Sequence, residues 1–533
     1  MSDITKVWKR YENGVDYHVK NNLYSETETF YNMVEGNQWA GLESGNEIFP
    51  QHDFVSVVVS HKTAMVALNQ MTINYSSTNS GENQEIFHLA CEKLNEFARN
   101  KWEQTKMDTK DWDIVNQACI SGDSYLFTYS SDLDSQIIDR TNIYLSDEQE
   151  PDIQKQRWVI IYERRLVEDV KDEAKANGVK DWEDISGDSD TRTLPKGAKT
   201  EVSGQDKCSC LLQIEKKSDG IYISRSTKGV IYQPETKIEG LTLIPIAKMT
   251  WQSKRGSARG IGEVKKLLNN QINANKLLAI RYQNNKMTGY PRPVYNVEVV
   301  ANPEDVGKVA TPIRVKGMPA QRVREVFDYI APQAMSQDGK MLQDELVVMS
   351  RDLASAGDNA TGNVNPERAS GVAIIAIRDQ QALATTRQSA YHRQFVEDLA
   401  LIWLDMAKAY NPNGMTVTTN VDGMLEEYFI EAEVLEELKT KVKIDVSPTN
   451  PFSKYAREQA LETALNNKHI NFTEYVSALD QDGTAPKMKF EMILANRGSE
   501  EPMEEQMEEP MEEPMEEPYQ EQEDLYEMPE VSY

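Results

Sequence analysis

The residues whose types and spacing could support chemistry concentrate between Lys248 and Arg292, in a chain that is otherwise acidic. This segment has ten lysines and arginines and one acid, Glu263, a local balance of +9 against a formal net charge of -28 for the chain. Such a patch predicts a partner of opposite charge, for example nucleic-acid phosphates. A solvated helix face on which lysines happen to cluster is the alternative interpretation. The basic residues expected on one helix face are Lys265, Lys266, Lys276 and Arg281.

Glycines interrupt the same segment, in R-G-S-A-R-G-I-G-E-V-K just before this helix. A glycine-rich loop that opens a helix can hold phosphate groups. This one lacks the G-K-[ST] ending of a P-loop, and no parallel β-α-β repeat surrounds it, so we do not predict nucleotide binding. The apolar spacing of Ile261, Val264, Leu268 and Ile272 instead predicts a helix over 260–285.

Catalysis on nucleic acid would need clustered carboxylates for metal ions or a Walker loop. The carboxylate pairs available are D-W-D at 111–113 and D-S-D at 188–190, which we interpret as helix-cap and loop residues. Cys208 and Cys210 are one residue short of a C-x-x-C clamp, and the alternation around them favours a strand. We therefore expect no enzyme, with no catalytic, cofactor-binding or metal-ligating residues.

The elements that must position the basic helix belong to a chain of 533 residues, which is long for one hydrophobic core. No apolar run approaches the roughly 20 residues that span a bilayer, and Met1–Tyr11 lacks the apolar core of a signal peptide. We therefore expect a protein of the cytoplasm with no membrane association.

Residues 1–259 have the pattern of an α+β region. Helical periodicity dominates up to Gly122, where a Gly-Asp turn is followed by aromatic and β-branched residues. The run F-V-S-V-V-V-S-H from Phe54 fits either a short strand or the start of a helix. Between Thr141 and Trp251, short strands alternate with turn signals, and a helix is expected over Val167–Gly178.

A second helix is expected over 334–354, separated from the first by a strand-rich stretch, 286–333. The sequence G-Y-P-R-P stops the first helix near Gly289, because proline disfavours helix continuation. A polar loop, 355–365, follows the second helix. A long helix is expected to begin at Pro366, with Asn365 as its N-cap. It would run to Tyr410 and span roughly 60 Å.

The C-terminal third changes character twice. Within 366–442, the long helix is followed by a strand in V-T-V-T-T-N and a helix over Ala432–Lys439; another strand is expected in K-V-K-I-D-V-S. Residues 443–498 are expected to be mostly short helices. Residues 499–533 contain fifteen acids and no lysine or arginine, so this repetitive M-E-E-P tail is expected to be disordered.

This order of elements resembles the portal proteins, or head-to-tail connectors, of tailed double-stranded DNA bacteriophages. The likeness is carried by I-P-I-A-K-M-T-W, G-I-G-E-V-K-K-L-L-N-N-Q-I-N-A-N-K, G-Y-P-R-P and N-P-E-R-A-S-G-V-A-I-I. It covers roughly Met33 to Arg497 in element order, but similarity at the level of residues is confined to those stretches. The acidic tail departs from the core that the family shares.

The resemblance implies an elongated α+β subunit that assembles into a ring. Residues 1–259 would be the N-terminal region and wing, 260–285 and 334–354 the two stem helices, and 286–333 the small β-rich clip. The remaining parts would be the tunnel loop (355–365), the long helix and rest of the wing (366–442), the helical crown (443–498) and the acidic tail (499–533).

The resemblance also implies partners and a location. The expected assembly is a dodecameric ring at the capsid vertex of the virion, built in the bacterial host cytoplasm, through which double-stranded DNA is packaged and ejected. The terminase large subunit, a head-completion adaptor, scaffolding protein and major capsid protein would bind it. The residues expected to dock the motor on the clip are Arg292, Glu304, Asp305, Arg314 and Lys316.

A channel that passes any DNA sequence should contact phosphates only weakly, because firm cationic contacts would hold the polymer. The tunnel loop fits this requirement, since Asp358 is its one charged residue and its glycines allow movement. Its expected DNA-channel residues are Gly357, Asp358, Asn359, Thr361, Asn363 and Asn365. Whether the stem's basic residues face the lumen or the acids of a neighbouring subunit stays open.

Two other functions remain as alternatives. One is a phage-encoded interaction scaffold whose acidic tail mimics nucleic acid and binds a basic partner. The other is a DNA-processing enzyme, which the sequence favours less because it contains neither a Walker loop nor a carboxylate cluster.

Overall fold

The computed structural model describes residues 3–42, 49–79, 84–190, 206–290, 292–306, 308, 311–316, 327–330, 338–354, 383–421, 424–448, 461–467, 469–479 and 489–490. Helices and strands are both abundant, which confirms the α+β prediction at the level of fold class. The chain divides into two compact units, Met1–Thr449 and Asn450–Tyr533.

The N-terminal part of the first unit is mainly helical. Its elements are α1 (Asp3–Lys20), α2 (Leu23–Val34), α3 (Val55–Ala67), β1 (Asn69–Ser77), α4 (Gln84–Gln104) and α5 (Met107–Ser121). The valine-rich run that fitted either a strand or a helix forms α3. Val55, Val58 and Val59 on that helix are fully buried, so packing outweighs the modest strand preference of β-branched residues.

The predicted change from helix to strand occurs at Gly122. Its φ of 113° is in the left-handed region that favours glycine, and its N–H donates to the Ala118 carbonyl at 2.8 Å to end α5. The next residue starts β2 (Asp123–Tyr129). This strand lies between β3 (Asp134–Ile138) and β9 (Ile246–Thr250), and both pairings are antiparallel.

A second antiparallel sheet contains the strands between Thr141 and Trp251 other than β9. Its order is β4 (Ile143–Leu145), β5 (Trp158–Leu166), β6 (Lys207–Lys217), β7 (Gly220–Ser226) and β8 (Ile231–Ile238). Side chains alternate between its faces: Ile160 packs beneath α1, while Ile161 joins the main core. The helix α6 (Val167–Ala176) covers Cys208 and Cys210 of β6, in a small core of its own.

The first helix of the predicted pair is α7 (Glu263–Gly289), which starts three residues after the expected 260 and extends to the glycine before G-Y-P-R-P. Beyond it, β10 (Arg292–Tyr295) pairs with β11 (Phe327–Ile330), and an isolated bridge joins Val300 to Val315. The second helix of the pair is α8 (Asp338–Leu353).

Of the helix expected over 366–410, the structure describes α9 (Thr386–Tyr410) and, before it, a 3₁₀ turn over Leu383–Thr385. The α-helix is therefore not continuous across 383–385, contrary to the sequence prediction. The expected start at Pro366, with its Asn365 cap, lies outside the described residues. Along α9, Phe395, Leu399 and Trp403 are buried, which is the spacing that the sequence predicts for one helix face. The helix packs on β9 and on the β1 and β14 pair.

After α9, the strands β12 (Met415–Val421) and β13 (Met424–Ile430) form an antiparallel pair, followed by α10 (Ala432–Glu437) and β14 (Thr440–Pro448). The sequence reading missed β13, because the pair Glu426 and Glu427 in its middle does not suggest a strand. The last strand, β14, pairs with β1 along nine residues. Residues 443–448, expected to open the crown, are therefore part of the first unit.

The second unit is described in its helical pieces. Residues 461–466 are helical, and α11 (Phe472–Ala478) starts at Asn471 with a capping box in which Glu474 takes part. The expected acidic tail lies outside the described residues. Along the described parts of the chain, no helix is both long and apolar enough to cross a bilayer.

Candidate functional site

The basic helix α7 is the predicted functional element that the structure describes most completely. The expected DNA-channel residues of the loop at 355–365 (Gly357, Asp358, Asn359, Thr361, Asn363 and Asn365) lie outside the described residues. The start of α7 is fixed to the rest of the first unit by buried side chains and by close backbone contacts.

The glycines of R-G-I-G-E bring the start of α7 against the end of α5. A β-carbon added to Gly260 would lie 2.0 Å from the Gly122 carbonyl oxygen, and one added to Gly262 would lie 2.2 Å from the Ile120 carbonyl oxygen. Neither distance is possible for a real side chain. The glycines thus permit close backbone packing, which explains them without a bound phosphate.

Arg259, just before these glycines, is a buried hub of hydrogen bonds. Its guanidinium donates from Nε and Nη2 to the two carboxylate oxygens of Glu148, at 2.8 and 2.7 Å. It also donates to the carbonyl oxygens of Arg140 at 3.0 Å and Ile143 at 2.8 Å. A planar guanidinium suits this arrangement, because its donors spread in a fixed fork. The hub ties the start of α7 to the loops on either side of β4.

The pKa values around Arg259 reflect a buried charge pair. Burial alone would raise the pKa of Glu148, but the adjacent Arg259 charge outweighs it and holds that pKa below its usual range. His18 is also buried here, with Nε2 3.1 Å from Arg259 Nη2, and burial lowers its pKa from 6.5 to about 4. The imidazole is therefore neutral at pH 7, and its Nε2 can accept a hydrogen bond from Arg259.

A second arginine and carboxylate complete the cluster. Arg140 Nη2 lies 3.2 Å from Asp123 Oδ1, and that same oxygen accepts from the Gly260 backbone N–H at 3.2 Å. The Tyr125 hydroxyl donates to Asp123 Oδ2 at 2.7 Å. Two arginines thus face two carboxylates, so these four charges balance one another.

Glu263, the one acid of the basic segment, occupies the first turn of α7 and is almost fully buried. It accepts from Lys62 Nζ at 2.8 Å and from Trp251 Nε1 at 3.1 Å. Burial opposes its charge, but the Lys62 charge outweighs burial and lowers its pKa. A carboxylate at a helix N-terminus is also favoured by the helix dipole. Glu263 therefore pins α7 to α3 and to the loop after β9.

About two to three turns further along, amide side chains on α7 bind the segment that leads into α3. Gln271 accepts from the Phe54 N–H at 3.2 Å and donates to the His52 carbonyl at 2.7 Å. Asn275 accepts from the His52 N–H at 3.0 Å and donates to Gln38. Backbone groups in this segment are thereby hydrogen-bonded by side chains of α7.

The two helices of the pair meet through polar side chains. Asn270 donates to Ser350 at 2.9 Å, and Arg281 donates to Gln343 at 2.5 Å. The contacts advance along α7 as they retreat along α8, so the helices are antiparallel. Gln343 and Ser350 are buried, at 4% and 0% exposure.

The apolar residues of α8 point the other way. The sequence marks Met341/Leu342, Leu346, Met349 and Leu353 as the apolar positions of this helix, which usually form the buried stripe. In the structure, most large apolar side chains of α8 are between 49% and 66% exposed; they are Met341, Leu342, Val348, Met349 and Leu353. Most of the large apolar side chains of α8 thus lie on its open side, whereas Gln343 and Ser350 are buried towards α7.

The basic residues predicted to share one face have different surroundings. Lys265 donates to Glu26 on α2 at 2.9 Å, and Lys266 donates to Glu263 at 3.1 Å. Part of the positive charge of α7 is therefore balanced by acids of the same chain.

The remaining two lie further along the helix. Arg281 is half-buried against Gln343, and Lys276 is exposed near the middle of α7. The prediction of a single basic face is thus refined: the structure places Lys276 alone of these four both exposed and outside the contacts just described.

The residues expected to dock a motor lie on the strand-rich segment between α7 and α8. Four of the five side chains are exposed, and Asp305 is partly buried; the set is Arg292, Glu304, Asp305, Arg314 and Lys316. Asp305 accepts from Lys308 at 2.8 Å, and this hydrogen bond lowers its pKa. The structure brings Glu304 and Asp305 together in one 3₁₀ turn.

The carboxylates considered for catalysis have structural contacts. Asp111 is in the second turn of α5 rather than at its cap, and its carboxylate oxygens lie 2.8 and 2.9 Å from His392 Nε2 on α9. The cap interpretation of Asp111 was therefore wrong. Asp188 pairs with Arg164 and accepts from the Ser209 N–H at 2.9 Å. Within the described ranges, no three His, Cys, Asp or Glu side chains are arranged to hold a metal ion.

Sequence reasoning missed the hub residues Arg259, Glu148 and His18. Of these three, only Arg259 has a sequence signal: the motif R-G-I-G-E, in which Arg259 and Glu263 flank two glycines. This motif was considered for its glycines. In the structure, the flanking charges of Arg259 and Glu263 anchor the start of α7.

No protein-family model matches the chain, and a search of curated proteins returned no match.

Proposed function

We propose that this chain is the portal protein of a tailed double-stranded DNA bacteriophage. It would form the ring at the capsid vertex through which the genome is packaged and ejected. The same ring would be the docking platform for the terminase motor and for the head-completion and tail proteins. The proposal rests on the resemblance in motif order and on the properties of the helix pair α7 and α8.

The observation that carries the proposal is the outward apolar face of α8. Large apolar side chains in one contiguous exposed group are unusual on a chain that works alone, and they mark surfaces that another molecule covers. The exposed face belongs to a helix that the resemblance assigns to the stem, where copies would meet. Self-association through the stem would bury these side chains.

The base of α7 supports the same proposal. Every copy in a symmetric ring must hold its stem helix at the same angle to its wing. The glycine contacts, the Arg259 hub and the Glu263 pairs fix the start of α7 through backbone packing and several buried charges. A firmly held helix lets identical copies close into a ring.

Transport of DNA calls for weak contact with phosphates. Firm ion pairs to phosphate would release counterions and hold the DNA in place. The sequence of 355–365, with one charge and several amide and hydroxyl side chains, suits a loop that touches DNA without retaining it. On α7, Lys265 and Lys266 have acidic partners within the chain, which reduces their attraction for phosphate.

Electron microscopy of the purified full-length chain tests the assembly. We expect rings with a central hole at micromolar concentration and physiological salt. Met349→Ser, which removes an apolar side chain from the open face of α8, should lower the fraction in rings. The matched control is Leu42→Ser, because Leu42 is equally exposed, at 59% against 58% for Met349, but lies outside the stem. A wild-type sample of monomers only would contradict the proposal.

Passage of DNA is tested separately in infected cells. Deletion of residues 357–363 should leave ring assembly intact and reduce the yield of DNA-filled capsids. An unchanged yield would contradict the role proposed for this loop.

A further inference from the structure

The open face of α8 repeats every seven residues. Met341, Leu342 and Glu345 are followed by Val348, Met349 and Asp352 at the same spacing, and all six side chains are exposed. A seven-residue repeat keeps the same side chains on one side of a helix and is typical of packing against another helix. The face combines apolar pairs with an acid at each repeat.

The open face of α7 carries the opposite charge. Lys276 is exposed there, and Ile280 and Met287 continue the same side at 53% and 38% exposure. Over the whole helices, α7 has five basic residues and one acid, whereas α8 has four acids and two basic residues. An acidic and apolar face on one helix thus matches a basic and apolar face on the other.

These two faces lie on opposite sides of the helix pair. Lys276 is about 120 to 140° around α7 from Asn270 and Arg281, the residues that contact α8, at 100° per residue. Glu345 is similarly turned away from Gln343 and Ser350 on α8. Lys276 and Glu345 therefore do not meet within one copy.

The two side chains nevertheless lie at similar levels along the pair. Lys276 is between Asn270 and Arg281 on α7, and their partners Ser350 and Gln343 bracket Glu345 on α8. Rotation about a ring axis along the helices keeps every residue at its own level. In a ring, Lys276 of one copy would thus come to the height of Glu345 in the next.

We propose that the helix pairs of neighbouring copies join head to tail, that is, side by side through two different faces. The acidic and apolar face of α8 in one copy packs on the basic and apolar face of α7 in the other. Lys276 pairs with Glu345 of the next copy, and Ile280 packs near Leu342 of that copy. This inference rests on the proposed ring and assigns its stem contact. Lys276 then forms an ion pair between subunits and does not line the DNA channel.

Mixed disulfide cross-linking tests the contact directly. The native cysteines, Cys91, Cys119, Cys208 and Cys210, are all buried, so added surface cysteines should react selectively. Lys276→Cys and Glu345→Cys are purified as separate full-length proteins, mixed under mild oxidation and separated on denaturing gels. We expect a dimer band in the mixture and little in either protein alone.

If each protein alone gives a dimer band and the mixture gives no additional dimer, identical faces are in contact. This result would overturn the head-to-tail arrangement. The absence of any dimer from a mixture that forms rings would overturn the contact while leaving the proposed function standing. Wild-type protein that forms no rings would instead count against the proposed function.

Charge reversal tests the pairing in solution. Lys276→Glu and Glu345→Lys should each raise the protein concentration needed for half-assembly on the order of tenfold, because the repulsion recurs at every interface. The double variant Lys276→Glu with Glu345→Lys should recover wild-type assembly. Lys254→Glu makes the same charge change at an exposed loop residue and should assemble normally. Single variants that assemble like wild type, or a double variant without recovery, would overturn the pairing.

Discussion

The base and the open faces of the helix pair use opposite kinds of surface. At the base of α7, charged side chains are buried and paired, and glycines allow backbones to touch. On α8, most large apolar side chains are exposed, while Gln343 and Ser350 are buried and accept hydrogen bonds from α7. The base holds geometry within one copy, because buried charges and close packing tolerate few alternatives. The open faces are exposed in one copy, and we propose that a second copy covers them.

Among the variants at the base and the open faces, Arg259→Leu should lower the free energy of unfolding most. It would leave Glu148 buried without its guanidinium, and an uncompensated buried charge costs about 3 to 5 kcal/mol. Urea denaturation monitored by circular dichroism would measure the loss. A variant within about 1 kcal/mol of wild type would show that the hub does not hold the base.

The buried His18 should make the stability of the base of α7 depend on pH. Its pKa falls from 6.5 to about 4 in the folded chain, so the stability gained by keeping it neutral is complete above pH 6.5 and is lost as pH falls towards 4. The loss should approach about 3 kcal/mol. The lowered pKa of Glu148 adds a further loss at still lower pH.

His18→Gln keeps an acceptor for Arg259 but does not titrate, so its stability should vary less between pH 6.5 and pH 4. Denaturation midpoints measured across that range provide the comparison. Parallel profiles for the two proteins would exclude His18 as the source of the slope.

Gly260→Ala tests the backbone contact at the base. The added carbon would collide with the Gly122 carbonyl, and overpacking of this kind costs about 1 to 3 kcal/mol. Gly289→Ala is the matched control, since nothing lies within 4 Å of a β-carbon there. Thermal unfolding should separate the two variants. Equal melting temperatures would mean that the α5 and α7 contact relaxes freely.

Met349→Ser should have the smallest effect on the folding of a single chain. The side chain is 58% exposed, and surface substitutions usually change the free energy of unfolding by less than about 0.5 kcal/mol. Unfolding measured at concentrations below assembly would check this. A large loss would place Met349 in the fold of one copy and remove the distinction between base and open face.

Several elements could be predicted because their signals are local. The end of α5 at Gly122 needs only a residue that accepts a positive φ, and the stop of α7 needs only the prolines that follow Gly289. The strand containing Cys208 and Cys210 follows from alternation over a few residues. In contrast, β13 was missed because its pairing with β12 outweighs its two central glutamates.

The residues that anchor the candidate site were beyond sequence reasoning for a different reason. Arg259 meets Glu148 from 111 residues away, and Glu263 meets Lys62 from 201 residues away. No periodicity within a segment encodes such a meeting. The glycines of R-G-I-G-E could be recognised in the sequence, but the sequence did not indicate that they pack against the end of α5.

By itself, the sequence determined that a basic helix, a strand-rich segment and a second helix follow one another, because propensity, prolines and periodicity act over short distances. It also marked which side chains share a face of α8. Only the tertiary structure decided which face is covered. Periodicity groups residues by direction around a helix, whereas burial depends on what the rest of the chain brings to that side. Here α7 covers Gln343 and Ser350 and leaves the apolar stripe open.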